Sequence, residues 1–231
     1  MTQPPMKLPA LVISSLALLA IAPAIHAETV NLAGRSVDLP IPSGYCVPKE
    51  QGAEALFVSR VRNSQPVDTQ LLLVFVNCDE LKAMRAANPQ TAADGVFNYG
   101  LFSVVAFNGK VAVLDQFDRN QFIQSSVMTH SFGKSASDLR SRALDRVRDV
   151  AAMKRFETLG LVDMDSNAFY MGSVGTYGKN NFRGLSVVGL TLVKGCQLSV
   201  ALFTPLEGPD DLSRALARQE ANLASLVAAN D

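Results

Sequence analysis

Apolar side chains recur every three to four positions in several segments of the chain, which is the period of a helix with one buried face. Ser135 lies three residues before Asp138 in one of these segments and is a candidate capping residue. Another segment begins with Pro209 and two acidic residues, a composition favoured in the first turn of a helix. We therefore predict four helices, over 49–62, from Asp79 to about residue 88, over 138–154 and from Pro209 onward.

Apolar runs of strand length lie between these segments, and turn signals separate them. The run 71–76 is apolar at every position, which is typical of a strand covered on both faces. The segment 37–46 alternates briefly and breaks at two prolines and a glycine, so it reads as a short edge strand. Three hairpins are predicted, 101–107 with 111–114 across Asn108-Gly109, 185–193 with 196–203 across Lys194-Gly195, and one that turns at Asp165-Ser166-Asn167.

Strand pairs and separate helices without a regular strand-helix alternation favour an α+β fold, an antiparallel β-sheet flanked by helices. No repeat of 20 to 50 residues and no Pro/Ser-rich linker divides the chain. We therefore predict one domain over 28–231, whose length of about 200 residues is sufficient for a full hydrophobic core.

The first 27 residues have the order of a secretory signal peptide. Lys7 precedes an apolar run over 11–22, and small residues follow up to Ala27. This run is shorter than the roughly 20 residues that a transmembrane helix needs, so no transmembrane span is expected. Cleavage after Ala27 is favoured, with cleavage after Ala24 as the alternative. The prediction is a bacterial protein that is periplasmic or secreted.

Three cysteines follow the predicted leader, and export would bring them into an oxidising compartment. If the predicted helix 49–62 packs antiparallel on the strand 71–76, Cys46 and Cys78 lie at the same end of this pair. A disulfide between Cys46 and Cys78 is therefore predicted. A bridge that includes Cys196 and the absence of any bridge are the alternatives. Cys196 opens an apolar strand and is expected to be a buried core thiol.

Charge excludes one class of partner. Lysine and arginine together number 21, as do aspartate and glutamate, whereas nucleic-acid binding needs a basic excess, so no nucleic-acid partner is expected. Arginines concentrate in the predicted helix 138–154, but aspartates lie between them. We interpret this helix as having a solvated outer face; a docking patch for anionic lipid or an acidic partner is the alternative.

His130 is the only histidine after the predicted leader. A Ser-His-Asp hydrolase would have to use it, yet Thr129-His130-Ser131 has no nucleophile-elbow pattern nearby. The glycines of 172–179 do not have phosphate-loop spacing. The segment 163–167 begins like a calcium loop, but Ala168 and Val174 replace the required glycine and glutamate. We predict no catalytic residue, no cofactor-binding residue and no metal ligand.

The run Leu39-Pro40-Ile41-Pro42-Ser43-Gly44-Tyr45, the late hairpin over 185–203 and the amphipathic helix after Pro209 resemble the layout of Mog1/PsbP-like domains. The resemblance implies an antiparallel sheet flanked by helices and an accessory or partner-binding role. It carries no functional residue over to this chain, which equally resembles exported proteins of Proteobacteria.

From these features we expect a non-catalytic periplasmic protein that binds a protein partner or assists an envelope assembly. Two alternatives stay open. One is an exported hydrolase that uses His130, and the other is a protein secreted onward to act on a host or a neighbouring cell.

Overall fold

The computed structural model describes residues 27–88, 92–131, 134–148, 156–177 and 182–231. Residues 1–26, which hold almost all of the predicted leader, lie outside these ranges. The first described residue, Ala27, begins the first strand. Cleavage after Ala27 therefore stays a prediction.

Ten strands lie within the described residues, and every pairing among them is antiparallel. They are β1 (Ala27–Leu32), β2 (Arg35–Pro40), β3 (Tyr45–Cys46), β4 (Thr69–Asn77), β5 (Tyr99–Phe107), β6 (Lys110–Val111), β7 (Glu157–Met164), β8 (Phe169–Tyr177), β9 (Phe182–Val193) and β10 (Cys196–Pro205).

Five α-helices accompany the strands within the same ranges. They are α1 (Gly52–Asn63), α2 (Cys78–Ala86), α3 (Arg119–Ser131), α4 (Ala136–Arg148) and α5 (Asp211–Ala228). A 3₁₀ turn over Ala93–Gly95 lies between α2 and β5. The predicted α+β class, an antiparallel sheet flanked by helices, is thereby confirmed.

The main sheet has the strand order β3-β4-β5-β10-β9-β8-β7, with β6 paired to the end of β5. The hairpin predicted across Lys194-Gly195 is confirmed as β9 and β10, and the turn at 165–167 joins β7 to β8. Asn108 and Gly109 both have positive φ, as their predicted tight turn requires. The strand after that turn is shorter than predicted, however, because β5 is paired along its length with β4 and β10.

The segment 37–46 is not one edge strand. Its first part belongs to β2, which pairs with β1 in a separate two-stranded sheet, and its last two residues form β3 at the edge of the main sheet. Pro42, Ser43 and Gly44 lie in the turn that separates the two strands. Gly44 has a φ of +81°, which explains the break in the strand at this point.

Helices cover the main sheet on both faces. On the face that we call the α5 face, the largest apolar cluster joins the sheet to α5, α4 and the β1–β2 hairpin. Leu212, Leu216 and Leu223 of α5 are buried there, as the stripe of the predicted closing helix requires. Beyond α5, the side-chain amide of Asn230 accepts a hydrogen bond from the Asp38 N–H (2.9 Å) and donates one to the Asp38 carbonyl (2.8 Å). The carboxyl end of the chain is thus attached to β2.

The opposite face, which we call the α3 face, has two separate helical covers. Helices α1 and α2 pack on β4 and β5 at one side, with Phe57 and Leu81 in the cluster. Helix α3 packs on β7, β8 and β9 at the other side, with Phe122 and Ile123 in the cluster. The side chain of Val188, on β9, is only partly buried and lies beside the cluster that contains Phe57 and Leu81. The α3 face is therefore covered less completely at its middle than under the helices.

The Sγ atoms of Cys46 and Cys78 are bonded, and their Cα atoms lie 5.1 Å apart. The predicted disulfide pair is confirmed, and the alternatives with Cys196 or with no bridge are wrong. The two cysteines meet because β3 pairs with the end of β4, with Tyr45 opposite Asn77. The short helix, predicted from Asp79, begins at Cys78. Its cap is Asn77, because the Asn77 Oδ1 accepts hydrogen bonds from the N–H groups of Asp79 and Glu80.

Candidate functional site

Helix α3 was not predicted from the apolar pattern, and it forms one wall of the groove described below. Its buried residues, Phe122, Ile123 and Val127, are interrupted by serines and glutamines, so its apolar stripe is weak. A local signal was present nevertheless. The Asp118 carboxylate accepts from the Gln121 N–H (2.8 Å), and the Gln121 side chain accepts from the Asp118 N–H (3.0 Å), which is a reciprocal cap at a helix start.

The start of α3 is fastened to two other parts of the fold. The Arg119 guanidinium pairs with both carboxylate oxygens of Asp231 and donates to the carbonyl of Leu192 at 3.2 Å. The pairing lowers the pKa of the Asp231 carboxyl. Because Leu192 lies near the end of β9 and Asp231 follows α5, these bonds hold α3 at a defined place above the sheet.

A groove of about 520 Å³ opens between α3 and the α3 face of the sheet, and we call it the α3 groove. Phe122 and Phe169 are buried at its base with ring centroids 6.0 Å apart, and Met171 and Leu190 are half-buried. Its full lining consists of Phe122, Ser125, Ser126, Phe169, Met171, Leu190 and Gln197. The groove thus combines an apolar floor with three neutral polar side chains.

Two polar groups of the α3 groove are not used by the fold. Ser125 donates from its Oγ to the Phe122 carbonyl at 3.0 Å. In the described part of the chain, by contrast, no hydrogen bond engages the side chain of Ser126 or Gln197. An amide and a hydroxyl therefore face the groove with their donors and acceptors available.

Serines also line the α3 face of the sheet outside the groove, but they pair with one another. The Oγ atoms of Ser103 and Ser199 are 2.6 Å apart, and so are those of Ser173 and Ser186. Each hydroxyl thus has a serine as its partner rather than a general base. These pairs satisfy buried polar atoms between the strands.

His130 lies in the last turn of α3, a helix where the sequence indicated only a polar stretch. Its side chain lies outside the described part of the structure. The hydrolase alternative therefore stays a prediction.

The segment that begins like a calcium loop is a hairpin turn. The Asp165 Oδ1 accepts from the N–H groups of Asn167 (2.7 Å) and Ala168 (2.9 Å), and its Oδ2 accepts from the Tyr170 hydroxyl (2.8 Å). Burial raises the pKa of Tyr170, and the neighbouring Asp165 carboxylate raises it further. The carboxylate of Asp163, also buried, pairs with Arg140. The carboxylate oxygens of Asp163 and Asp165, which suggested a calcium site, thus bind groups of the protein itself.

The arginines of α4 are largely engaged with acids. Arg140 joins Asp163 of β7 to Glu220 of α5. Arg146 pairs with Glu157 and donates to the Leu159 carbonyl at 3.2 Å, which occupies part of the outer edge of β7. The described part of this helix ends at Arg148, so the predicted end at residue 154 lies outside the described residues. These pairs leave fewer free guanidinium groups for a docking patch, and the half-exposed side chains of Arg140 and Arg146 are consistent with the predicted solvated outer face.

Cys196 is a buried, unbonded thiol at the start of β10. Burial raises its pKa, although the nearby Arg35 guanidinium acts in the opposite direction. Arg35 pairs with Asp115 at 2.7 Å and donates a hydrogen bond to the carbonyl of Lys194, in the turn that follows β9. The predicted core thiol is therefore confirmed.

The glycine-rich segment 172–179 is mainly strand β8, and its last two residues lie outside the described ranges.

The described residues lack two other kinds of feature. They contain no cluster of three or more His, Cys, Asp or Glu side chains that could hold a metal ion. None of their helices is both long enough and apolar enough to span a membrane.

The chain was also compared with known proteins. No family model matches it, and no curated protein matches it. The resemblance to Mog1/PsbP-like domains therefore stays a prediction.

Proposed function

We propose that the chain is an exported protein of the bacterial envelope that acts by binding a protein partner rather than by catalysis. The observation that carries the compartment in this proposal is the Cys46–Cys78 disulfide. Structural disulfides persist in the periplasm and outside the cell, and they are rare in the reducing cytoplasm. The leader-like run over 11–22 supports the same compartment from the other end of the chain.

A candidate partner surface lies at one end of the main sheet. Phe107 is 58% exposed at the end of β5, and Val67 is fully exposed in the turn before β4. The two are neighbours, since the Ala106 N–H donates to the Asp68 carbonyl at 2.9 Å. Val113, which is paired with Cys196, lies at the same end. Exposed apolar side chains that occur together in this way are typical of interaction surfaces.

Export is tested by measuring the intact mass of the protein made in its native cells and by fractionating periplasm, cytoplasm and culture medium. We expect a product that starts at Glu28, carries one disulfide and is found in the periplasm. A cytoplasmic product that still carries residues 1–27 would contradict the proposal. Recovery mainly from the medium would favour the secreted alternative.

Partner binding is tested by crosslinking and capture from the native envelope with the oxidised, processed chain. We expect one main partner, and we expect Phe107→Ser to reduce its recovery at least about tenfold, which corresponds to the loss of one well-buried aromatic anchor. Phe156→Ser is the matched control, because Phe156 is similarly exposed (64%) but precedes β7 at the far edge of the sheet. Equal loss with both variants would contradict this surface.

A further inference from the structure

We propose that the α3 groove is a binding site for a small, uncharged, mainly apolar molecule that carries one hydrogen-bonding group. This goes beyond the proposed partner binding, which uses the exposed side chains of Val67, Phe107 and Val113, none of which lines the groove, and needs no ligand. Size, charge and unused hydrogen-bonding groups support the inference separately.

The size and the floor of the groove favour a small molecule over a peptide. Its volume of about 520 Å³ lies within the range of roughly 300 to 1,000 Å³ that small-molecule sites occupy. The floor consists of β8, β9 and β10, each of which is paired with a strand on both sides. An extended peptide therefore finds no free strand edge there to which it could add.

The charge of the groove selects a neutral ligand. None of its lining residues carries a charge. An ionised group placed against Phe122, Met171 and Leu190 would lose water without gaining an opposite charge, at a large cost in free energy. Transfer of an uncharged, apolar ligand from water into the groove is favourable, because its apolar surface is removed from water.

The unused polar side chains define where the ligand's own polar group would sit. Gln197 can both donate and accept through its amide, and Ser126 can do so through its hydroxyl. Neither is bonded to another described residue. Together they fit a hydroxyl, an uncharged N–H group or a carbonyl at one end of the ligand. Met171 adds a flexible, polarisable contact that adapts to different apolar shapes.

The test uses two probes that differ by one charge. N-phenyl-1-naphthylamine is neutral and carries a single N–H, and 8-anilino-1-naphthalenesulfonate has the same rings with an added sulfonate. Both fluoresce more strongly in an apolar site. When the oxidised, processed protein is titrated, we expect saturable binding of the neutral probe with a dissociation constant at least about tenfold lower than that of the anion. No saturable binding of the neutral probe, or equal binding of both, would overturn the proposal.

Three variants locate the site. Ser126→Phe fills the groove, so it should weaken binding of the neutral probe more than about tenfold. Gln124→Phe is the control, since Gln124 is an exposed residue of the same helix and does not line the groove. Gln197→Met keeps the side-chain size but removes the amide, and it should weaken binding about five- to tenfold. Unchanged binding in both Ser126→Phe and Gln197→Met would overturn the site.

A structural readout keeps the test independent of these variants. Methyl resonances of Met171 and Leu190 should shift on addition of the neutral probe, and those of Val58, on α1, should not. The opposite pattern would overturn the proposal. Export and partner capture do not depend on these residues. If the neutral probe does not bind, the proposed function still stands. If export or partner capture fails, the proposed binding site in the α3 groove still stands.

Discussion

At the scale of single residues, the packing around Gly100 leaves no room for a side chain. The ring of Phe75 lies against the backbone of Gly100 and is also in contact with two other aromatic rings, at 5.2 Å from Tyr45 and 5.5 Å from Phe102. Phe75 is completely buried. A side chain at Gly100 would therefore have to displace a ring that is already enclosed.

Gly100→Ala is predicted to destabilise the protein. Its Cβ would overlap the Phe75 ring and lie 2.6 Å from the carbonyl oxygen of Ala201. Overpacking of this kind typically costs about 1–3 kcal/mol of unfolding free energy, which urea unfolding would measure. Gly208→Ala is the control, because a Cβ there meets nothing within 4 Å and its φ is not positive. Similar losses in both variants would contradict the steric explanation.

At the scale of elements, the disulfide joins the edge strand β3 to the start of α2. Cys46 belongs to β3, which contributes only two residues to the sheet, and Cys78 is the first residue of α2. A strand of two residues offers few hydrogen bonds of its own. The covalent bond therefore supplies much of the attachment between β3 and the segment that follows β4.

Removing this bond by Cys46→Ser with Cys78→Ser is predicted to lower the unfolding free energy by about 3–4 kcal/mol. The two cysteines are separated by 32 positions in the chain, and the value follows from the chain entropy that a loop of this length regains in the unfolded state. Urea unfolding of the oxidised wild type and of the double variant measures it. Dithiothreitol should destabilise the wild type and leave the double variant unchanged; a reductant effect on both would point to another cause.

At the scale of the whole molecule, carboxylates with lowered pKa values are distributed over the fold. Hydrogen bonds from Arg85 lower the pKa of Glu54, which is buried between α1 and α2 and also accepts from the Lys49 N–H. Hydrogen bonds from Arg35 and from Ser135 lower those of Asp115 and Asp138. Glu220 differs, because burial raises its pKa in spite of the neighbouring Arg140.

The protein is therefore predicted to lose stability in acid. Where the folded pKa is the lower one, the unfolded chain binds protons first as the pH falls. The contribution of Glu54 is thus complete above its ordinary pKa of 4.5 and is lost at lower pH. Protonation of Glu220 acts in the opposite direction and offsets only part of this loss. The urea midpoint should be lower at about pH 3 than at about pH 6.

Glu54→Gln provides the matched test of that slope. It should lower the unfolding free energy by about 1–2 kcal/mol near neutral pH, since the charge-assisted bonds to Arg85 are lost. The variant should also lose less stability than the wild type between about pH 5 and pH 3. A parallel pH dependence in the two proteins would contradict a role for this carboxylate.

Local sequence signals predicted most of the elements. Asn108-Gly109 marks its turn because Asn and Gly both accept positive φ, and Lys194-Gly195 marks its turn because it separates two apolar runs of strand length; both turns are present. The closing helix after Pro209 was predicted because its apolar stripe is strong. Helix α3 was missed because serines and glutamines interrupt its stripe, so tertiary packing rather than periodicity determines it.

The candidate site could not be predicted in the same way. Ser126 and Gln197 are 71 positions apart in the chain, and neither belongs to a motif. They line one groove because α3 crosses the strands beside β10, a placement that depends on contacts between distant segments such as Arg119 with Asp231.

The amino-acid sequence by itself determined the α+β class, the main hairpins and the closing helix, because each depends on period or turn chemistry along the chain. It favoured the Cys46–Cys78 pair, which forms because β3 pairs with the end of β4. Only the tertiary structure decided that β2 leaves the main sheet, that α3 forms and that a neutral groove opens beneath it. Those features depend on which distant surfaces exclude water from one another, and a linear pattern carries no record of that choice.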